Sequence, residues 1–186
     1  MDGIILAGGK STRMGTNKLL IYVNGHPLLW HTIQSMKPFV NHLVVVTGRY
    51  DKEIREALKE EKDIEIVTND NYEKGMFSSV QTGIRHINDS FFLIPGDCPF
   101  VSKETYQSLL NGKGDIRVPR YKDTDGHPIY IDIKYKEEIL LFPLDSNLKQ
   151  FRDSKKYEII NVKDKNIVIN LNTVLDVINI KNWKEW

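Results

Sequence analysis

Four short runs of apolar or β-branched residues, at 4–7, 43–47, 64–68 and 91–95, set the strongest limit on what this chain can fold into. Each is continuous rather than alternating, which is the pattern of a strand buried on both faces of a parallel sheet. Parallel neighbours cannot be joined by a tight turn, so each gap must hold a crossover. The gaps have helical spacing. Asp51 is placed to cap a helix with Ile54, Ala57 and Leu58 on one face, and Phe77, Val80, Ile84 and Ile87 recur every three or four residues. Ser102 is placed to cap a third helix that buries Tyr106, Leu109 and Leu110. This alternation predicts a three-layer α/β/α domain with a mostly parallel sheet and right-handed crossovers.

Beyond Gly112 the pattern loosens into shorter strands at 116–119, 129–133 and 157–162, separated by polar turns such as Asp123-Thr124-Asp125-Gly126. These are expected to extend or flank the sheet. The 186 residues, 40% of them hydrophobic, suffice for one substantial core. No internal repeat, low-complexity tract or Pro-, Gly- or Ser-rich linker divides them, so residues 1–186 are expected to form one domain, with 180–186 as a loosely held tail.

Lysine and arginine number 26 against 25 aspartates and glutamates, a net charge of +1. No global field draws the chain to nucleic acid or to an anionic membrane, so any anion site must be local. The first residues lack a basic segment followed by a long apolar one, and no apolar run approaches membrane-spanning length, so a cytoplasmic protein is expected. The single cysteine, Cys98, excludes an intramolecular disulfide and a multi-cysteine zinc site and reads as a small buried residue.

The segment Leu6-Ala7-Gly8-Gly9-Lys10-Ser11-Thr12-Arg13-Met14-Gly15-Thr16-Asn17-Lys18 leaves the first apolar run as a glycine-rich, hydroxyl-rich, cationic loop. Glycines let backbone N–H groups approach phosphate oxygens, and Arg13 and Lys18 can neutralise a triphosphate. In an open α/β sheet the carboxyl end of the first strand is also where ligands bind. Two familiar phosphate loops are excluded by counting. A Walker A loop ending in Gly9-Lys10-Ser11 needs glycine at position 4, where Ile4 stands, and the adjacent Gly8 and Gly9 do not satisfy the dinucleotide pattern. A glycine turn bearing solvated cations is the bland alternative.

The whole string resembles Leu-Ala-Gly-Gly-x-Ser-x-Arg-Met-Gly-x-x-Lys, the signature of the nucleotidyltransferase superfamily that includes the molybdenum cofactor nucleotidyltransferases. That resemblance implies a Rossmann-like nucleotidyltransferase fold and a nucleotide held by Leu6, Ala7, Gly8, Gly9, Ser11, Thr12, Arg13 and Lys18. Gly75-Met76-Phe77-Ser78-Ser79-Val80-Gln81-Thr82-Gly83-Ile84 is similar to the Gly-Met-x-x-Ser-Leu-x-x-Gly-Leu segment of the cytidylyl branch, which adds Gly75, Ser78, Ser79 and Gly83 to the nucleotide site. A helix N-terminus with two hydroxyls suits an anion or a ribose, although serines there also serve simply as caps.

Gly96-Asp97-Cys98-Pro99 follows the fourth apolar run, so Asp97 is expected at a strand's carboxyl end, as a Mg²⁺ ligand or as a turn cap. The family resemblance assigns it to the metal. Gly126-His127-Pro128 resembles the Gly-x-Pro-Val motif on the acceptor side of the cytidylyl branch, which makes Gly126 and His127 acceptor candidates; a histidine there also reads as a turn residue. Asn170-Leu171-Asn172-Thr173 is similar to the family's late metal-site motif, with Val174-Leu175 replacing Pro-Glu. Asn170 and Asn172 thus join Asp97 as metal candidates, but they add no charge.

Taken together the resemblance implies Mg²⁺-dependent transfer of a nucleoside monophosphate from an NTP to a small phosphorylated acceptor such as molybdopterin, with Arg13, Lys18 and Asp97 as catalytic groups. CTP is favoured by the segments at 75–84 and 126–128, GTP by Gly8-Gly9, Gly96-Asp97 and the two late asparagines. A sugar-phosphate or methylerythritol-phosphate acceptor stays open, as does hand-over to an apo-molybdoenzyme. The alternative of another class is a non-catalytic nucleotide-binding or cofactor-chaperone module, and the weakened late motif is its support.

Overall fold

Residues 1–9 and 17–169 are described in the computed structural model of the chain. The four apolar runs fold as β1 (Asp2–Leu6), β4 (His42–Thr47), β5 (Glu65–Thr68) and β6 (Phe91–Pro95). A short hairpin of β2 (Tyr22–Val23) and β3 (His26–Pro27) leads into α1 (Leu28–Met36), while α2 (Asp51–Ala57) and α3 (Met76–Ile84) fill the next two crossovers. After α4 (Lys103–Asn111) come β7 (Ile116–Tyr121), β8 (Thr124–Asp125), β9 (Ile129–Ile131), α5 (Lys136–Leu141), α6 (Leu148–Asp153) and β10 (Glu158–Asn161).

Among the described residues the main sheet has the order β10-β7-β9-β6-β1-β4-β5, with β8 paired to β7. The strands β6, β1, β4 and β5 run parallel, β9 runs antiparallel to both β6 and β7, and β10 is parallel to β7. The expected mostly parallel sheet is therefore present.

Successive side chains of a strand point to opposite faces, and here both faces are buried. Ile5, Val45, Phe92 and Ile94 pack with Leu29, Ile33, Ile54, Tyr106 and Leu109, so α1, α2 and α4 cover one face. Ile4, Leu6, Val44, Val46 and Leu93 pack with Phe77, Val80, Ile84, Ile139 and Phe151, so α3, α5 and α6 cover the other. Apolar residues at odd and even positions alike are what made these runs continuous in the sequence.

Ser102 caps α4 as expected, accepting from Thr105 N at 3.3 Å. Four local expectations change. Asp51 is the first residue of α2 rather than its cap; its carboxylate instead accepts from Thr47 Oγ1, Thr68 Oγ1 and Arg55. Arg55 and the two hydroxyls hold it ionised, so its pKa lies below the usual carboxylate value despite the opposing effect of burial, the largest single influence. Leu110 is 36% exposed, because Leu109 takes the inward position on α4. The strand expected at 129–133 stops at Ile131, and Ile133 begins a short 3₁₀ turn whose cap is Asp132. Ala57 is only partly buried, and Ile54 and Leu58 supply the inward face of α2. The tail at 180–186 lies outside the described residues. No helix among the described residues is long and apolar enough to cross a membrane.

Candidate active site

Strand β1 lies between β4, which it reaches through α1, and β6, which the chain reaches through α3 on the opposite face. The chain leaves β1 towards β4 on one side and later returns from β5 to β6 on the other, and a sheet of this kind binds ligands in the crevice at the carboxyl ends of the two strands where the order reverses. Leu6 and Pro95 are register partners at that point. Gly96 N donates to Leu6 O at 2.9 Å, and a Cβ on Gly96 would sit 3.0 Å from Leu29 Cδ1 and 3.2 Å from Leu6 O. The missing side chain thus lets the chain pass close over β1. Thr32, buried on α1, donates its hydroxyl to Gly96 O at 2.8 Å and fixes that passage.

The next residue, Asp97, emerges into the crevice, and its Oδ2 accepts from the Lys18 ammonium. Their side chains are only 13% and 21% exposed, so the pair is shielded from bulk water. Asn17 prepares Lys18 for this contact by capping the 3₁₀ turn at Lys18–Leu20, its side chain accepting from Leu19 N. Cys98 is buried, and burial followed by the nearby Asp97 charge pushes its thiol far above the ordinary range. It is a packing residue, as the sequence reading has it.

The opposite wall is built around Asn69, which the sequence reading passes over. Its side-chain amide donates to Ser78 Oγ at 2.8 Å and to Ser79 Oγ at 2.9 Å, while its own oxygen accepts from Asn71 N. Ser78 Oγ also bonds to Gly75 O and Asn71 O. Both serines are buried, so their hydroxyls tie the entry of α3 to the end of β5. Gly75 starts α3 with φ at +102°, where glycine carries no steric penalty. Gly8 passes so close that a Cβ would lie 2.9 Å from Ser79 Oγ. Gly9 has open space on its side-chain side, and Leu6 and Ala7 are buried in the sheet and its end. Gly83 has a different setting: a Cβ would fall 2.7 Å from Ile4 Cγ2 and 2.9 Å from Val46 Cγ2. Its glycine is accounted for by the close packing of α3 on the sheet.

A cavity of about 560 Å³ opens beside this crevice, with Leu6, Phe77, Leu93 and His127 in its walls and Arg120 and Arg152 at its polar side. Asp125 accepts from Arg120 Nε at 2.7 Å and from Arg152 at 3.2 Å, so two guanidiniums share one carboxylate. Sequence reasoning missed both arginines, since 32 residues of loosely patterned chain separate two side chains that only the fold brings together. Gly126 N donates to Pro119 O and His127 N to Ile167 O at 2.9 Å. A Cβ on Gly126 would lie 2.4 Å from Ile167 O, so only glycine fits there. The imidazole of His127 is lowered to about 4, chiefly by burial; the Asp97 charge opposes this and Arg152 reinforces it. It is neutral near pH 7, and its Nδ1 is buried with no hydrogen-bond partner among the described residues.

The structure therefore brings Leu6, Ala7, Gly8, Lys18, Ser79 and Asp97 to one crevice and sets Gly126 and His127 on its cavity side. Ser11, Thr12, Arg13, Asn170 and Asn172 lie outside the described residues. Among the described residues no group of three His, Cys, Asp or Glu side chains is placed to hold a metal ion, so Asp97 stands as a single carboxylate.

A doubly wound sheet with glycines and a carboxylate at its switch point defines an α/β protein of the ligand-binding kind, its site at the carboxyl ends of β1 and β6. Residues 3–159 match the model of the MobA-like NTP transferase domain, and the chain belongs to that family of nucleotidyltransferases. It is 24% identical over 183 residues to the molybdenum cofactor cytidylyltransferase of Escherichia coli, covering 97% of this chain and 95% of that protein. It is 36% identical over 136 residues to a probable molybdenum cofactor guanylyltransferase of Thermococcus sibiricus, covering 70% and 67%. The fold matches a nucleotidyl transferase from Methanothermobacter with a TM-score of 0.81 at 22% identity, over 97% of this chain and 95% of that one.

Proposed function

We propose that the protein transfers the cytidylyl group of CTP to the phosphate of a molybdopterin-type acceptor. The observation that carries this reading is the shielded Lys18–Asp97 pair at the switch point, with the cavity of about 560 Å³ directly alongside. One end of that crevice suits a triphosphate. The cavity is large enough for a second, heterocyclic substrate.

An acceptor phosphate oxygen forms a bond to the α-phosphorus of the nucleotide as the bond from that phosphorus to the bridging oxygen breaks, and pyrophosphate leaves with the electron pair. A phosphate dianion needs no general base for this attack. The chain's work is positioning and charge stabilisation. Lys18 holds the phosphate charge, joined by Arg13 in the family pattern, and Gly9, with open space on its side-chain side, lets a phosphate come close to the loop. Asp97 is a hard oxygen donor that would hold Mg²⁺, with Asn170 and Asn172 as neutral candidates beside it in the family pattern, and phosphate oxygens and water would supply the rest of its coordination. A bound Mg²⁺ supplies positive charge to the reacting phosphates. Before substrate arrives, Lys18 and Asp97 neutralise each other; the substrate complex gives each a new partner.

Cytidylyl transfer is preferred because the segments at 75–84 and 126–128 carry the cytidylyl-type pattern. Guanylyl transfer is the second reading, favoured by the 36% identity to the Thermococcus protein. Thermal unfolding with CTP, GTP, ATP and UTP, each with and without Mg²⁺, separates them. Ligand at 100 times its Kd adds about 2.7 kcal/mol, or roughly 5 to 10 °C in Tm for a chain of this size. A Mg²⁺-dependent rise with CTP alone supports the proposal; a rise with GTP alone replaces it with the second reading, and no rise with any nucleotide removes both.

A further inference from the structure

The loop that presents Asp97 ends in an unusual residue. Phe100 has φ at +64°, the left-handed region that costs a bulky L-residue free energy unless its surroundings impose it. One restraint comes from the far end of the described chain. Asn166, 3% exposed, donates its side-chain amide to Phe100 O at 2.8 Å. Two residues before it, Asp164 accepts from Ser102 N at 2.7 Å and from Thr105 Oγ1 at 3.0 Å, so the same short segment also fixes the entry of α4. One residue after it, Ile167 O accepts from His127 N and lies where any Gly126 side chain would stand. Residues 164–167 thus grip the Asp97 loop on one side and the cavity loop on the other, with Asn166 bonding the backbone of the strained turn while the His31 ring packs on Phe100.

We infer that Asn166 is a positioning residue for nucleotidyl transfer: by pinning Phe100 it sets the aim of Asp97 relative to the cavity where the acceptor binds. The inference rests on the assignment of Asp97 under Proposed function. Asn166 touches no reacting atom in this account. Its effect must therefore appear in turnover rather than in nucleotide binding, since a displacement of about 1 Å at a reacting group costs up to about 10²-fold in rate.

Two variants test it in the full chain: Asn166→Ala, and Asn166→Leu, which fills the buried volume without offering a donor. The expected result is a kcat for cytidylyl transfer about 10- to 100-fold lower, with the KM for CTP within about twofold of the wild type. A folded Asn166→Leu protein with wild-type kcat overturns the inference, whatever its Tm. Should the wild-type chain transfer neither CMP nor GMP, the transfer reading has failed, and amide hydrogen exchange decides the strap separately. Faster exchange at 97–101 and at Gly126 and His127 in Asn166→Leu supports it; unchanged exchange at those amides overturns it.

Discussion

The Lys18 ammonium donates to the Asp97 carboxylate across 79 residues of sequence, joining the end of the glycine loop to the end of β6. Both side chains are largely shielded from water, so the contact is stronger than a surface ion pair. Lys18→Ala is expected to lower the rate of pyrophosphate release by about 10² or more, the usual cost of one lost transition-state donor. Asp97→Asn is expected to lose at least as much while keeping the fold. A Lys18→Ala protein that works at the wild-type rate removes Lys18 from the chemistry.

Gly83 separates packing from binding. Its replacement by alanine puts a methyl group against Ile4 and Val46, where closely packed branched side chains have little room to give. Overpacking of this kind costs about 1–3 kcal/mol, reduced by the better helix propensity of alanine, worth roughly 1 kcal/mol. Chemical denaturation should therefore show Gly83→Ala to be less stable than wild type, and CTP affinity measured on the folded variant should be unaltered. A loss of affinity with intact stability would place Gly83 at the nucleotide.

Asn69 is the converse case, a buried polar group with every bond directed inward. Asn69→Ala leaves Ser78, Ser79 and the amide of Asn71 without their partner, at about 1–3 kcal/mol for groups left unsatisfied. Because these residues place the start of α3 beside Gly8, the variant is expected to bind nucleotide more weakly as well as to unfold earlier. Calorimetric titration with CTP, done well below Tm, measures the first effect free of the second.

His127 makes stability depend on pH. It titrates at about 4 in the folded protein against 6.5 as its ordinary value, so between those limits the unfolded chain binds more protons. Its neutral form thus favours the fold above pH 6.5, and that contribution is lost as the pH falls through 6.5 towards 4, by about 3 kcal/mol at most. His31, also lowered chiefly by burial, acts in the same direction. Replacing His127 with glutamine should flatten the acid limb of a plot of unfolding midpoint against pH. An unchanged limb between pH 6.5 and 4 would place the proton uptake elsewhere.

The layered sheet was legible because continuous apolar runs and three-to-four-residue spacing are local records of burial on two faces. Helix α1 escaped notice although Leu28, Leu29, Ile33 and Met36 have the required spacing. The pair α5 and α6 escaped too, although Asn147 and Gln150 form a capping box at the start of α6, because each is only six residues long and too short for a clear periodic signal. The cap assigned to Asp51 failed for a physical reason: Thr47, Arg55 and Thr68, two of them on neighbouring strands, draw its carboxylate sideways.

By itself the sequence determined the sheet's strands, the glycine loop after β1 and the presence of a carboxylate after β6, since each is written in contiguous residues. Only the tertiary structure decided that Lys18 meets Asp97, that Asn69 claims the hydroxyls of Ser78 and Ser79, that Arg120 and Arg152 share Asp125, and that Asn166 holds Phe100. Periodicity reports which way a side chain faces along its own element. Which partner it meets there depends on strand order and crossovers, and those are set by the packing of the whole core.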